Sequence, residues 1–279
     1  MLSSTEYRGI SGCFRLSNST VSVVIAGGFG PRILSYGFDD GENVLGWHPE
    51  AAVETEFGTW KPYGGHRLWL APEQMPTSYA PDNTKVEVIE QDGLSARVIA
   101  RPDAAGVQKE LLVSLAASGT EVTIDHRLTV TNGCTAAAWA LTIMAPSGTV
   151  IIPNEPHEPY DPEHLLPVRS MASWSYTDFT DPRWSFGKDA IRLKVDGALA
   201  HPQKIGVLNK QAWAAYEWKD LVFTKRTDFE GNAQYPDHNS NYEFYTAGDF
   251  VEVETLSPLR RVAGGETIMH RETWSLERR

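Results

Sequence analysis

Cysteine is scarce in this 279-residue sequence, and its scarcity excludes a scaffold held together by disulfides. The two cysteines, Cys13 and Cys134, lie far apart in the chain. Their spacing matches neither a disulfide framework nor a cysteine-rich metal site. We therefore expect two free thiols in a reducing compartment, which indicates a cytoplasmic location.

Long apolar runs are also missing. No stretch approaches the roughly 20 consecutive apolar residues that cross a bilayer as a helix. The first residues, MLSSTEYRGISG, lack the basic region followed by an apolar run that marks a secretory signal peptide. We expect a chain without a membrane-spanning segment.

Basic residues are outnumbered, with 25 Lys and Arg against 36 Asp and Glu, a net charge of −11 and a pI near 5.2. An acidic surface repels phosphate backbones and anionic lipid headgroups. We therefore expect neither nucleic acid nor a membrane as a partner. A neutral small molecule is compatible with the charge, and the oligomeric state is left open.

A sustained helical period is absent as well. The stretch PEHLLPVRSM at 162–171 offers at most a turn or two, because Pro167 interrupts it. Instead, apolar and polar residues alternate, as they do in half-buried strands. The alternating segments are 21–26, 85–90, 95–100, 110–116, 121–132, 190–195, 204–209, 212–218, 221–226, 241–246, 250–255 and 266–276.

Strands that follow one another without helices predict antiparallel sheets packed face to face, an all-β sandwich. No linker interrupts them, so we predict a single domain over 1–279. The segment 146–189 breaks the alternation, and long irregular excursions of this kind are often functional. The nine Trp, ten Tyr and ten Phe either pack the core or, in part, stack on the rings of a sugar.

The first candidate site is YGGHRLWLAPE, residues 63–73. Two glycines let the backbone approach a ligand closely, and Arg67 offers donors suited to hydroxyl oxygens. Trp69 has the parity of Arg67 on a strand, and His66 adds a titratable imidazole. We predict a substrate-binding strip here, with a surface turn and an ordinary Arg67 salt bridge as the alternative.

The second candidate is GDFVEVETLSP, residues 248–258, a strand that carries Glu252 and Glu254 on one face. Neighbouring like charges raise the pKa of one member, and a carboxylate in a cleft can act as a general base. The alternative is that one or both carboxylates form salt bridges with Lys or Arg on a neighbouring strand.

Two further stretches carry weaker signals. YPDHNSNYEFY, residues 235–245, brings Asp237 and Asn241 to a turn before a strand, where they contact a ligand or simply cap a polar loop. WSYTDFTDPRWSFGK, residues 174–188, begins with Trp174, which forms a stacking platform or belongs to an outer strand.

Several stretches resemble aldose 1-epimerases, also called galactose mutarotases. The end FVEVETLSPLRRVAGGETIMHRETWSL is similar to that family's final strands, in which L-E-T is followed by a proline-containing segment and P-G-E-T. The segment TNG…AWALTIM at 131–144 resembles the family's central T-N element, and VVIAGGFGPRILSY resembles its opening strands. YGGHRLWLAPE is closer to a mutarotase-like branch of unassigned function.

The resemblance implies a β-supersandwich that binds a sugar on the concave face of its larger sheet. It also implies that Glu254 is the general base. The family's acid histidine has no counterpart in CTAAAWALTIM. We therefore take His66 as the substitute acid, with His157 and His238 in reserve and His157 counted among the substrate-binding residues.

The sequence thus predicts a sugar isomerase of the aldose 1-epimerase type that needs no cofactor. It assigns no metal ligands, and a metal held by loop oxygens is left open. The catalytic residues would be Glu254 and His66. The predicted substrate-binding residues are Arg67, Trp69, Glu252, Asn241, Asp237, Trp174 and His157. A non-catalytic sugar-binding protein is the main alternative, and a glycoside hydrolase or lyase that pairs Glu252 with Glu254 is a weaker one.

Overall fold

The computed structural model describes residues 2–279, and nearly all of the regular structure is β-strand. The first twelve strands are β1 (Leu2–Tyr7), β2 (Ile10–Ser17), β3 (Val21–Ile25), β4 (Ile33–Phe38), β5 (Trp47–His48), β6 (Val53–Thr55), β7 (Gly58–Trp60), β8 (Tyr63–Gly64), β9 (His66–Ala71), β10 (Glu87–Glu90), β11 (Ser95–Ile99) and β12 (Val107–Leu115). The later strands are β13 (Val122–Val130), β14 (Cys134–Met144), β15 (Thr149–Pro153), β16 (Met171–Ser173), β17 (Trp184–Phe186), β18 (Ala190–Lys194), β19 (Gln203–Val207), β20 (Trp213–Trp218), β21 (Leu221–Thr227), β22 (Tyr242–Ala247), β23 (Phe250–Leu256), β24 (Arg260–Val262) and β25 (Thr267–Arg278). A four-residue turn, labelled α1 (Pro236–Asn239), precedes β22, and its residues Asp237 and His238 do not have the backbone angles of a right-handed helix.

The strands form two large antiparallel sheets, as the sequence predicts. The front sheet runs β1-β2-β3-β4-β9-β14-β23-β22-β19-β16, with β24 paired to β14. The back sheet runs β10-β11-β12-β13-β25-β21-β20-β15-β18-β17. One hydrophobic core takes side chains from both, so the two sheets pack face to face as a β-supersandwich.

Alternation along β13 shows how the core forms. Val122, Ile124, Leu128 and Val130 are buried, while the residues between them are mostly more exposed. Burying an aliphatic side chain of this size contributes about 1.5–3 kcal/mol to stability. Repeated over the two sheets, this alternation gives the fold its main driving force.

Strand β14 departs from alternation because both of its faces are covered. Ala136 and Ala138 belong to the core between the sheets. Ala137, Trp139 and Leu141 belong to a second apolar cluster on the outer side of the front sheet. A central strand that is buried on both faces indicates that other side chains cover the outer face of the front sheet.

Other expectations have mixed outcomes. Cys13 and Cys134 are unpaired, as predicted. The stretch 162–171 forms no helix. The irregular segment predicted over 146–189 is shorter in the structure, where residues 154–170 contain neither strand nor helix. Tyr160 and Leu166 in this segment are exposed. Within the described residues, no helix is long and apolar enough to cross a membrane.

Candidate functional site

A cleft lies on the outer face of the front sheet, and strand register determines its floor. Facing residues on neighbouring strands point to the same side of a sheet. Arg67 of β9 faces Leu141 of β14, Leu141 faces Glu254 of β23, and Glu254 faces Glu243 of β22. This row carries a guanidinium at one end and two carboxylates at the other.

A second row lies beside the first on the same face. Ile143 faces Glu252, Glu252 faces Tyr245, and Tyr245 faces Lys204 of β19. Residues two apart on a strand share a face, so Glu252 and Glu254 both point toward the cleft side. Five neighbouring strands therefore contribute to one floor.

Aromatic rings form the walls. The ring centroids of Trp69 lie 5.0 Å from Trp60, 4.7 Å from Tyr79 and 5.4 Å from Trp139, in tilted or edge-to-face arrangements. Such arrangements are the favoured ones for aromatic pairs. They hold rigid apolar surfaces next to the charged floor, a combination suited to a ligand with both apolar faces and hydroxyl groups.

The cleft contains two adjoining cavities of about 420 and 370 Å³. They share Glu73, Tyr79, Trp139 and Lys204. Volumes of this size are typical of small-molecule sites. The larger cavity lies toward Arg67, and the smaller lies toward Glu243.

Arg67 and Glu252 form an ion pair in the floor of the larger cavity. The Arg67 Nη1 atom donates to Glu252 Oε1 at 2.8 Å. The guanidinium also lies over the rings of Trp69 and Trp60, at 4.7 and 5.3 Å from their centroids. Each of these groups orients the guanidinium, so the larger cavity has a rigid polar anchor.

Lys204 lies at the centre of a second charged group. Its Nζ atom is 2.7 Å from Glu243 Oε2 and 3.2 Å from Glu254 Oε2. It is also 4.7 Å from the ring centroids of both Trp139 and Trp174. The indole of Trp139 donates to Glu254 Oε2 at 2.8 Å, whereas Glu254 Oε1 is buried without a hydrogen-bond partner.

The burial of two glutamates around one lysine shifts their protonation. Burial raises the pKa of Glu254 to about 7, against the opposing pull of Lys204. Burial likewise raises the pKa of Glu243 well above its ordinary value. Burial acts to lower the pKa of Lys204, but Glu254 and Glu243 outweigh it and raise that pKa. The group therefore favours one ammonium, one carboxylate and one neutral carboxylic acid near pH 7.

The structure brings together most of the predicted site residues. Arg67, Trp69 and Glu252 line the larger cavity, and Trp174 and Asp237 line the smaller one. Glu254 lines neither cavity, although its partners Trp139 and Lys204 line both. Glu252 and Glu254 do not form a pair, because each is held by its own cation.

The expectation that His66 meets Arg67 and Glu254 in one hollow is corrected by the structure. Adjacent residues on a strand point to opposite faces, so His66 enters the space between the sheets while Arg67 faces the cleft. Its Nδ1 atom is 2.8 Å from Thr142 Oγ1, and its Nε2 atom is 2.7 Å from His126 Nε2. Burial lowers the pKa of His66 well below its usual value, so the imidazole is neutral near pH 7.

His66 belongs to a buried polar network between the sheets. Possible ligand atoms of His66, His126 and Glu272 lie within 4.8 Å of one another, a spacing that suits a metal ion. However, the Lys225 ammonium lies 2.9 Å from Glu272 Oε1 and already neutralises that carboxylate. The two imidazoles also bond to each other, so the network satisfies itself.

Two other predicted substrate contacts are corrected by position. Asn241 is buried, and its amide exchanges hydrogen bonds of 2.6 and 2.9 Å with the backbone of Asn209. His157 is exposed in the excursion and lines neither cavity. Neither residue therefore contributes a contact to the cleft.

Sequence reasoning missed Glu243, Lys204 and Tyr79. A partial signal was present in NYEFYT, where alternation places Glu243 and Tyr245 on one face. Nothing in the sequence states that this strand pairs with the one that carries Glu254. The pairing, and with it the charged group, is decided by sheet topology.

The fold has relatives of known structure. No protein-family model matches the sequence, and no curated protein matches it. A galactose mutarotase-like protein from Lactobacillus casei is 11% identical over 95% of this chain and 100% of that chain, with a TM-score of 0.60. A candidate mutarotase from Salmonella typhimurium is 13% identical over 96% and 90%, with a TM-score of 0.61. A galactose mutarotase related enzyme from Lactobacillus acidophilus is 7% identical over 95% and 97%, with a TM-score of 0.55.

Identities this low establish the shared fold and leave the activity to be argued from the site itself. The two large antiparallel sheets agree with the resemblance found in the sequence. The structural alignments agree with it too, because they extend over 90% or more of these neighbours' chains. The chain has the galactose mutarotase-like fold.

Proposed function

We propose that the protein binds a free sugar in the front cleft and interconverts its anomers as an aldose 1-epimerase-type isomerase. The observation that carries the proposal is the facing pair Glu243 and Glu254 around Lys204. A carboxylate and a carboxylic acid held side by side supply the base and the acid that ring opening requires.

The chemistry needs one proton transfer at each carboxyl group. Glu254 accepts the proton of the anomeric hydroxyl, a C1=O bond forms, and the bond from C1 to the ring oxygen breaks. The ring oxygen takes the proton of Glu243. Rotation about the C1–C2 bond and the reverse proton transfers close the ring to the other anomer. Both reacting oxygens are bonded to C1, so adjacent carboxyl groups on one face suit them.

Lys204 contacts the base and favours its charged form, because an opposite charge stabilises the carboxylate. The ammonium contacts Glu254 Oε2, whereas Oε1 has no hydrogen-bond partner and is the oxygen to which a substrate hydroxyl can donate. The aromatic walls at Trp69 and Trp139 offer stacking surfaces to the sugar ring, and Arg67 offers donors to its hydroxyls.

Anomer exchange measured by NMR on a panel of aldoses tests the proposal. Glu254→Gln and Glu243→Gln should each lower the exchange rate by about 10²–10⁴-fold, the usual contribution of a positioned proton-transfer group. Glu277→Gln, on the exposed end of β25, is a matched control that should leave the rate unchanged. Exchange no faster than the uncatalysed rate with every sugar would remove the proposal.

A non-catalytic sugar-binding protein is the second candidate. It is favoured by Lys204, which already occupies the partner position of Glu254, and by the location of His66 outside the cleft. Its signature would be a sugar-dependent rise in melting temperature with no change in anomer exchange. In either case we propose the cytoplasm as the compartment, since both cysteines are unpaired.

A further inference from the structure

The smaller cavity has more carboxyl groups than cations. Glu73, Asp237 and Glu243 line it, and among residues 2–279 Lys204 is the one cation that does so. Lys204 pairs with Glu243 and Glu254 and also interacts with Glu73, so its single charge does not balance all the carboxyl groups around it. An excess of carboxylates in a confined cavity attracts a positive ligand and repels an anionic one.

One of these carboxylates is buried and incompletely partnered. The side chain of Glu243 is fully buried and lines the cavity, and its Oε1 atom has no hydrogen-bond partner. Glu254 Oε1, on the facing strand, is also buried without a partner. Buried polar atoms are nearly always satisfied, so two orphaned oxygens at one place indicate a donor supplied from outside.

The same place already stabilises an ammonium group. The Lys204 Nζ atom lies between the indoles of Trp139 and Trp174, 4.7 Å from each centroid, and touches two carboxylates. Aromatic faces attract cations, because the face of the ring carries partial negative charge. The contacts of Lys204 therefore show that this part of the cleft offers aromatic faces and carboxyl groups to an ammonium group, and the same groups suit the amine of a ligand.

A strained turn positions Asp237 at the smaller cavity. We call the three acidic residues that line this cavity, Glu73, Asp237 and Glu243, the acidic rim. Asp237, His238 and Asn239 have φ angles of 48°, 58° and 73°, which are uncommon for residues other than glycine. Hydrogen bonds from Ser240 N to Pro236 O at 2.8 Å and from Tyr235 N to Asn239 Oδ1 at 2.9 Å keep the turn in place. Backbone strain of this kind is concentrated at ligand-binding positions, and here it sets Asp237 at the cavity.

The ligand indicated is an organic cation rather than a metal ion. Among residues 2–279, the group with metal-ligand spacing is His66, His126 and Glu272, which lies between the sheets. The carboxylates of the smaller cavity do not converge in this way. They surround a space of about 370 Å³, large enough for a substituent of a sugar ring.

We propose that the smaller cavity takes the ammonium group of an amino sugar whose ring lies in the larger cavity. The proposal rests on the proposed function, because it assigns the substrate class of the same cleft. The amine lies beside the Lys204 ammonium, among the carboxyl groups of Glu73, Asp237 and Glu243 that line this cavity. A sugar phosphate or uronate is disfavoured at this position by the same charges.

Isothermal titration at pH 6.5 with glucosamine, glucose, N-acetylglucosamine and glucuronate tests this assignment. Glucosamine should bind at least about tenfold more tightly than glucose, since a desolvated cation gains both aromatic and carboxylate contacts. N-acetylglucosamine should lose that advantage, and glucuronate should bind least. Glucose or glucuronate binding as tightly as glucosamine, or no binding by glucosamine, would overturn the proposal.

Variants connect the preference to the acidic rim. Asp237→Asn should reduce the ratio of glucosamine to glucose affinity several-fold without preventing glucose binding. Asp220→Asn changes the net charge equally on an exposed turn of the back sheet and should leave the ratio unchanged. An unchanged ratio in Asp237→Asn, or an equal loss in Asp220→Asn, would contradict the assignment.

These experiments distinguish failure of the amine-binding inference from failure of the proposed isomerase activity. Anomer exchange without a preference for the amine would overturn this inference and leave the isomerase intact. A clear preference for glucosamine without exchange would support the inference and remove the isomerase in favour of a binding protein.

Discussion

At the scale of single residues, the ion pair between Arg67 and Glu252 holds the charged side chains that form the floor of the larger cavity. Both side chains are largely buried, with relative exposures of 3% and 8%. A buried pair gives little net stability over an apolar pair, but loss of one partner leaves an uncompensated charge. The pair therefore holds the two side chains in place without adding much stability. Loss of either partner, however, lowers the free energy of unfolding.

Arg67→Met should lower the free energy of unfolding by about 3–5 kcal/mol, because it leaves Glu252 buried and unpaired. Adding Glu252→Gln to that variant should recover much of the loss. Urea denaturation measures both changes. Arg15→Met, which breaks the more exposed pair with Asp39, should cost no more than about 1 kcal/mol. A loss in Arg67→Met no larger than in Arg15→Met would contradict the prediction.

The pH dependence of the proposed anomer exchange is also set by individual residues. In the proposed mechanism Glu254 must be ionised to accept a proton, and burial raises its pKa to about 7 despite the nearby Lys204. Exchange should therefore rise as the pH increases toward about 7. It should fall again at higher pH, where Glu243, whose pKa is also raised by burial, loses the proton that it donates.

A rate profile by NMR between pH 4 and pH 10 tests this expectation. An acid limb centred near 4.5, the ordinary value for glutamate, would show that a different carboxylate acts as the base. In Glu243→Gln the remaining activity should lose the decline at high pH, since no acid remains to be titrated there.

At the scale of elements, close packing of β19 against the turn at α1 positions the acidic rim. A Cβ atom placed on Gly206 would lie 2.3 Å from Ser240 Oγ and 2.9 Å from Ser240 Cβ. Gly206 faces Glu243 across β19 and β22, and Ser240 follows the strained turn. The absence of a side chain at this position lets the strand and the turn meet.

Gly206→Ala should therefore lower the free energy of unfolding by about 1–3 kcal/mol, the usual cost of overpacking. It should also weaken sugar binding, because displacement of Ser240 moves Asp237. Gly28→Ala is the matched control, since no atom lies within 4 Å of its added Cβ and no left-handed φ is required. Thermal unfolding and titration with sugar report the two effects, and equal behaviour of both variants would refute the packing argument.

At the scale of the whole molecule, buried histidines and buried glutamates act on stability in opposite directions. Burial lowers the pKa values of His126 and His270 to about 3 and that of His66 well below 6.5. The unfolded chain therefore binds more protons on these residues below pH 6.5, so stability falls as the pH falls. Glu254 opposes this trend between about 4.5 and 7, where the folded state binds the extra proton.

Glu254→Gln removes that opposing contribution. Between pH 7 and pH 5 the variant should lose on the order of 1–2 kcal/mol more stability than the wild type. Denaturant titrations at the two pH values measure the difference, and Glu277→Gln should behave like the wild type. An equal pH dependence for Glu254→Gln and the wild type would show that the carboxyl group is not perturbed.

The all-β class and most strands could be predicted from the amino-acid sequence, because alternation of apolar and polar residues reports directly which face of a strand is buried. The sequence also predicts that Arg67 shares a face with Trp69, and Glu252 with Glu254, since parity along one strand is local. The same parity separates His66 from Arg67, so that correction was available from the sequence as well.

Which strands lie side by side, in contrast, is known from the three-dimensional fold and not from any local pattern. The register of β22 with β23 and β19 brings Glu243 and Lys204 to Glu254, although these residues come from three separate segments of the chain. Strand pairing depends on long-range packing and loop closure, which no local pattern encodes. The shared proton, the raised carboxyl pKa values and the acidic cavity all follow from that pairing, because each requires charges from different strands to be buried together.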